Sequence, residues 1–241
     1  MERPGPETGT LRGARAQLEA LASAHEVRGA GQAAPRRLPE SWRFRPLDPQ
    51  TVQRAAVLIL FGRLDDRPAE HPHDVVPEEL DVLFVQRADT LRKHAGQVAF
   101  PGGKIDPEDE GPIAAALREA EEETGLDPAG VDVLGALPET ELPVSDFLVT
   151  PVLGWWARPS QVCVVDPTES AHVFRAPVAD LLDPANRVSA VIVRDGEKFT
   201  SPAFLVQDML IWGFTGIVVS RLFDELGWTL DWDETREHRV L

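Results

Sequence analysis

The chain has no tyrosine and only one cysteine among its 241 residues, and each scarcity excludes something. A single thiol, Cys163, cannot close an intrachain disulfide, so the fold cannot rest on cross-links, and a reducing compartment is the expectation. Its setting, Gln161-Val162-Cys163-Val164-Val165, reads as that of a small apolar filler. No uninterrupted apolar run approaches the roughly 20 residues that span a bilayer, and the first residues lack the apolar core of a secretory signal. A soluble, cytoplasmic protein with no membrane partner is therefore expected. Cations are scarce too: 24 Lys plus Arg face 40 Asp plus Glu, a formal charge of −16. Such a surface repels a nucleic-acid backbone and argues against that partner. An anionic substrate then needs a local basic patch or a metal ion.

What is present supports one substantial core, since 43% of the residues are hydrophobic. Residues 1–40 are rich in Ala, Gly, Pro and Arg. They read as an N-terminal appendage, helical around Leu11 to Ala24 or partly disordered, with self-association as a homodimer left open. The main domain is expected over 41–230, followed by a short tail at 231–241. Apolar, β-rich runs place strands at Arg54–Gly62, Leu80–Arg87, Val131–Leu137, Phe147–Trp156, Val188–Val193 and Ala203–Val206. Helical periodicity places helices at Ile113–Thr124, Val178–Leu182 and Gly213–Leu226. Strands forming a sheet with helices on its faces make an α/β sandwich. His71 and His73 lie in a Pro-containing loop without Cys or carboxylate spacing, and are expected to be solvent-exposed rather than metal ligands.

The chemistry concentrates on one helix. Pro112 suits its first turn, where the missing N–H is not needed, and Gly125 suits its stop. Glu119, Glu122 and Glu123 share a face at the i, i+3, i+4 spacing, while Ile113, Ala116, Leu117, Ala120 and Thr124 form the face expected to pack on the sheet. Carboxylates so close repel one another unless a cation sits among them, and a hard divalent ion prefers oxygen donors. Upstream, Phe100-Pro101-Gly102-Gly103-Lys104 offers two glycines that let backbone approach a ligand or a neighbouring carboxylate.

Together these residues resemble the Nudix box: Gly, five residues, Glu, seven residues, Arg-Glu, an apolar residue, any residue, Glu-Glu, any residue, Gly and an apolar residue. Arg118, Glu119, Ala120, Glu122, Glu123, Gly125 and Leu126 match every specified position of its second half. In the first half, Gly103 plus five residues reaches Asp109, whereas counting back from Arg118 selects Glu110; a one-residue insertion reconciles the counts and leaves both acids open. The resemblance implies a Nudix-type α/β/α sandwich with a mixed sheet, and hydrolysis of a pyrophosphate linkage with Mg²⁺ or Mn²⁺. It implies Glu119, Glu122 and Glu123 as metal ligands and Arg118 as the residue that orients a glutamate. The general base is open between Glu119 or Glu122 on the helix and Glu169 in Asp166-Pro167-Thr168-Glu169.

Substrate choice lies outside the box. Arg87, Ala88, Arg92, Gly96 and Phe100 through Gly103 are similar to the extra signature of the coenzyme A pyrophosphatase branch, with Phe84 and Val85 departing from the residues usual there. Arg87, Arg92, Lys93 and His94 form a basic cluster in an acidic chain, suited to the 3′-phosphate of coenzyme A. With Gly102 and Gly103 they are the expected substrate contacts. The resemblance implies cleavage of coenzyme A or an acyl-CoA into the (acyl-)4′-phosphopantetheine and adenosine 3′,5′-bisphosphate. The absence of tyrosine counts against the diadenosine-polyphosphate branch. ADP-ribose, NADH or another nucleoside diphosphate derivative stays as an alternative, as does a nucleotide-sensing module that does not cut.

Overall fold

The two longest apolar runs lie side by side in the middle of the chain's main sheet. The computed structural model describes residues 9–29, 47–48, 50–63, 65–90, 94–142, 145–194 and 196–240. Strand β1 (Gln53–Gly62) pairs in parallel with β7 (Phe147–Trp156), in register from Gln53–Phe147 to Phe61–Trp155. Such central strands are buried on both faces, which is why they read as continuous apolar runs. On the far side of β7 run β5 (Val131–Ala136) and β6 (Thr140–Leu142), both antiparallel. Beyond β1 come β2 (Asp81–Arg87) and β4 (Gly102–Lys104). Strand β2 pairs in turn with β3 (Val98–Ala99) and with β8 (Ser170–Pro177), again antiparallel.

Helices cover both faces. On one, Ala115, Ala116 and Ala120 of α2 (Pro112–Thr124) pack with Ala56, Leu58, Leu60, Leu83, Val152 and Trp156. On the other, Ala14, Leu18 and Ala22 of α1 (Leu11–Gly29) and Val218, Val219, Leu222 and Phe223 of α4 (Gly213–Leu226) share a core with Ile59, Phe61, Phe84, Leu153 and Trp155. The fold is thus the expected α/β/α sandwich on a mixed sheet. Helix α1 is fastened by polar contacts as well: Trp228 donates from Nε1 to Gln17 Oε1 at 2.8 Å, and buried His25 meets Glu225 at 2.8 Å.

A second sheet, of β9 (Arg187–Arg194), β10 (Glu197–Val206), β11 (Met209–Ile211) and β12 (Glu237–Arg239), follows the short helix α3 (Val178–Leu182). Residues 231–240 return to it: β12 lies parallel to β9, and Trp232 covers the Arg187 guanidinium at 4.7 Å, opposite Phe204 at 4.5 Å. Burial lowers the Arg187 pKa to about 10, against the pull of Asp224 and Glu234.

Several expectations are corrected. Ile113 is 38% exposed, because the first turn of α2 projects past the sheet, and Ala115 takes the inner position instead. Cys163 is exposed, since its segment runs along the end of α2 rather than under it. His71 is exposed as expected, whereas His73 is half-buried, with its Nε2 3.2 Å from Asp183 Oδ2.

Because Leu18 is fully buried beneath the sheet, Leu18→Ala should destabilise the protein by about 2–5 kcal/mol, the usual cost of emptying a buried leucine site. Urea unfolding measures this; a loss below about 0.5 kcal/mol, the range of surface changes, would detach α1 from the core.

Candidate active site

Small residues bring the acidic helix close to the sheet. The inner face of α2 is Ala115, Ala116, Ala120 and Thr124, all buried, so the helix settles closer than bulky residues would permit. Gly125 ends it in the left-handed conformation, φ 68°, with its N–H donating to Glu121 O at 2.8 Å. The next segment runs alongside, with Cys163 N–H donating to Thr124 O and Val165 N–H to Glu123 O.

The glutamates then meet β4. Its two glycines sit opposite Val57 and Ala56 of β1. At Gly102, φ 155°, a Cβ would lie 2.4 Å from Ala56 O, so no side chain fits. At Gly103 a Cβ would lie 2.4 Å from the Cδ and both oxygens of Glu119: the carboxylate occupies the space a side chain would take. The Gly102 N–H donates to Glu123 Oε2 at 3.1 Å. The glycines therefore serve the two carboxylates directly.

Arg118 organises the other side. Its Nε and Nη2 donate to the two oxygens of Asp109 at 3.0 and 2.9 Å, a bidentate fork. Its Nη1 donates to Glu119 Oε1 and Glu122 Oε2, each at 3.1 Å, and Nη2 also reaches Lys104 O. Of the two acids left open by the sequence, Asp109 is the one that meets Arg118; its side chain is 6% exposed. Asp109 is held below the usual carboxylate range by Arg118 and by the Asp106 N–H. Arg118 in turn is raised above its ordinary value, first by Asp109 and then by Glu119.

Burial raises Glu119, opposed by Arg118. Burial pushes Glu123 up to about 7; the Gly102 N–H and Arg87 oppose this, while Glu119 and Glu169 add to it. Arg87 ends β2 at a register shift opposite Ser170, the residue after Glu169, and its buried Nε has no hydrogen-bond partner. Glu169 and Glu122 are exposed. His94 engages both ring nitrogens, with Gln97 Oε1 at 2.8 Å and Ser145 Oγ at 3.3 Å, which pins the loop rather than presenting the imidazole. Arg92 and Lys93 lie outside the described residues. No sequence pattern pointed to Gln97 and Ser145 as anchors, since the first is near in sequence but polar and the second lies 51 residues away.

Hard oxygen donors are what a divalent ion of this family needs, and Glu119 and Glu123 supply them from fixed positions. Among the described residues, no three such side chains already stand in ligating geometry. The hydrogen bonds account for this: Arg118 draws Glu119 and Glu122 toward itself while Gly102 holds Glu123.

A carboxyl raised to about 7 in the folded chain, against 4.5 ordinarily, contributes stability that is present below pH 4.5 and lost as pH rises through 7. The metal-free protein should accordingly lose stability between about pH 4.5 and 7, and Glu123→Gln should flatten that slope. Urea midpoints across this range check it; equal slopes for both proteins would contradict the assignment.

Comparison with known proteins agrees with this geometry. The NUDIX domain family matches residues 73–195. A relative from Cronobacter sakazakii, named an uncharacterized Nudix hydrolase NudL, is 41% identical over 191 residues, covering 77% of this chain and 92% of its own. Its namesake from Escherichia coli K12 is 38% identical with the same coverage. Among solved structures, the Nudix hydrolase RenU of M. smegmatis aligns at TM-score 0.47 and 19% identity, over 76% of this chain and 90% of its own. The NUDIX domain of Shewanella oneidensis NrtR, solved with ADP ribose, aligns at TM-score 0.40 and 23% identity, over 60% and 87%. With the box residues gathered around Arg118 and the family matched over more than half of the chain, the protein belongs to the Nudix hydrolases.

Proposed function

We propose that the protein hydrolyses the diphosphate bond of coenzyme A or an acyl-CoA, releasing (acyl-)4′-phosphopantetheine and adenosine 3′,5′-bisphosphate. The observation that carries this reading is Arg87: a cation with a buried, unpartnered Nε at the end of β2, where the strand shifts register opposite Ser170. A guanidinium so placed can bind a phosphate beside the carboxylates. Arg92 and Lys93, which follow it in the sequence, would offer the extra charge that the 3′-phosphate calls for.

Glu119, Glu122 and Glu123 would hold Mg²⁺ or Mn²⁺, which when bound neutralises diphosphate oxygens and makes a water more acidic. Arg118 sets where Glu119 and Glu122 point, and Asp109 holds Arg118. The water's proton must go to a carboxylate. Glu119 and Glu122 accept hydrogen bonds from Arg118, and Glu123 from Gly102. Glu169 is exposed, has no such tie among the described residues, and directly precedes Ser170, which pairs with Arg87, so it is the base in this reading.

The direct test is a panel of coenzyme A, acetyl-CoA, ADP-ribose and NADH with each metal, with products separated. Coenzyme A or its thioester should have the highest kcat/KM; preference for a compound without the 3′-phosphate would refute the substrate assignment. Glu122→Gln or Glu123→Gln should lower turnover at least about a hundredfold with the fold kept, the scale of losing an acid–base or metal contribution. Gly103→Ala tests the cradle. Its Cβ displaces only the flexible end of Glu119, so activity should fall sharply while the urea midpoint holds; a fully active Gly103→Ala would contradict the role given to Glu119.

A further inference from the structure

A groove of about 400 Å³ runs along β8, and four consecutive residues of that strand, His172, Val173, Phe174 and Arg175, line it. Successive side chains of a strand point to opposite faces. Consecutive residues can line one groove only where the strand's backbone edge faces it. Strand β8 pairs with β2 on one side and, among the described residues, with no strand on the other. Its outward N–H and C=O groups thus form an open row, the feature sheets ordinarily protect from unwanted pairing.

One end of the groove borders segments that also border the active site. Val162, at its near end, precedes Cys163, whose N–H caps the end of α2 beside Glu123. His172 is paired with Gln86, next to Arg87. From there the groove passes between the β8 edge and Leu205 and Val206 of β10. Its lining mixes apolar groups with charged ones, among them Arg67, Arg175, Glu70 and Asp180.

We infer that this groove receives the linear, amide-bearing arm of the substrate beyond the diphosphate, with the arm's amides pairing to the free backbone edge of β8. Edge-strand pairing is how extended amide chains are recognised generally: backbone hydrogen bonds give affinity and flanking side chains give selectivity. A pantetheine-like arm carries two amides joined by short methylene spacers, so it matches a backbone edge flanked by both polar and apolar side chains. The inference rests on the coenzyme A reading and assigns the residues that choose this arm over a sugar or a second nucleoside.

Two measurements test it. Hydrogen exchange of the wild-type protein with and without pantetheine should show slowed exchange for the amides of 170–177; unchanged exchange at saturating pantetheine overturns the inference. Val162→Trp should fill the near end of the groove. It should raise KM for coenzyme A by about tenfold or more, the order expected when a bound arm is displaced, with kcat altered much less. The same adenosine 3′-phosphate 5′-diphosphate bearing a methyl group in place of the arm should be cleaved equally by wild type and variant. If coenzyme A is cleaved but Val162→Trp affects neither substrate, or both alike, the groove assignment fails while the substrate reading stands. If the wild type does not cleave coenzyme A, the substrate reading fails and takes this inference with it.

Discussion

The close approach of α2 to the Gly102–Gly103 backbone is the constraint on which the rest of the site depends. Three buried alanines let the helix come near the sheet, and two glycines on β4 leave room for Glu119 and give Glu123 an N–H to accept. Burying carboxylates is costly unless they are paired and hydrogen-bonded. Arg118 supplies the counter-charge, and Asp109 fixes Arg118 by both oxygens. The acidic helix is therefore a preorganised arrangement in which each carboxylate has a particular holder, not a repelling stripe on a solvated surface.

Elements away from the helix complete the site by delivering residues to it. Strand β2 brings Arg87, the turn before β8 brings Glu169, and the β6–β7 connection reaches back through Ser145 to His94. Burial and like charge raise Glu123, and the Gly102 N–H and Arg87 restrain the rise. This balance holds the group near the point where a proton and a cation compete for it.

Much of this was legible in the sequence where the signal is periodic or carried by a motif. Phe147–Trp156, Val178–Leu182 and Gly213–Leu226 have the expected limits, because apolar runs mark all three and Gly213 and Gly227 bracket the last. Strand β8 escaped notice because Ser170–Pro177 includes His172, Arg175 and Pro177 and has no apolar run; as an edge strand it has one open side. Strand β10 starts at Glu197 rather than Ala203, since its outer half is polar. Strands of two or three residues such as β3 and β4 leave no periodicity to read. The Asp109 pairing depended on how a loop with an extra residue folds, which spacing alone could not decide.

We propose that Glu119, Glu122 and Glu123 come together on a divalent ion, although without one Arg118 holds the first two and Gly102 the third. Titration of the metal-free protein with Mn²⁺, followed by electron paramagnetic resonance, tests this. Saturable binding is expected, and it should disappear when all three glutamates are changed to glutamine. Binding that persists in the triple variant, or no binding by the wild type, would contradict it.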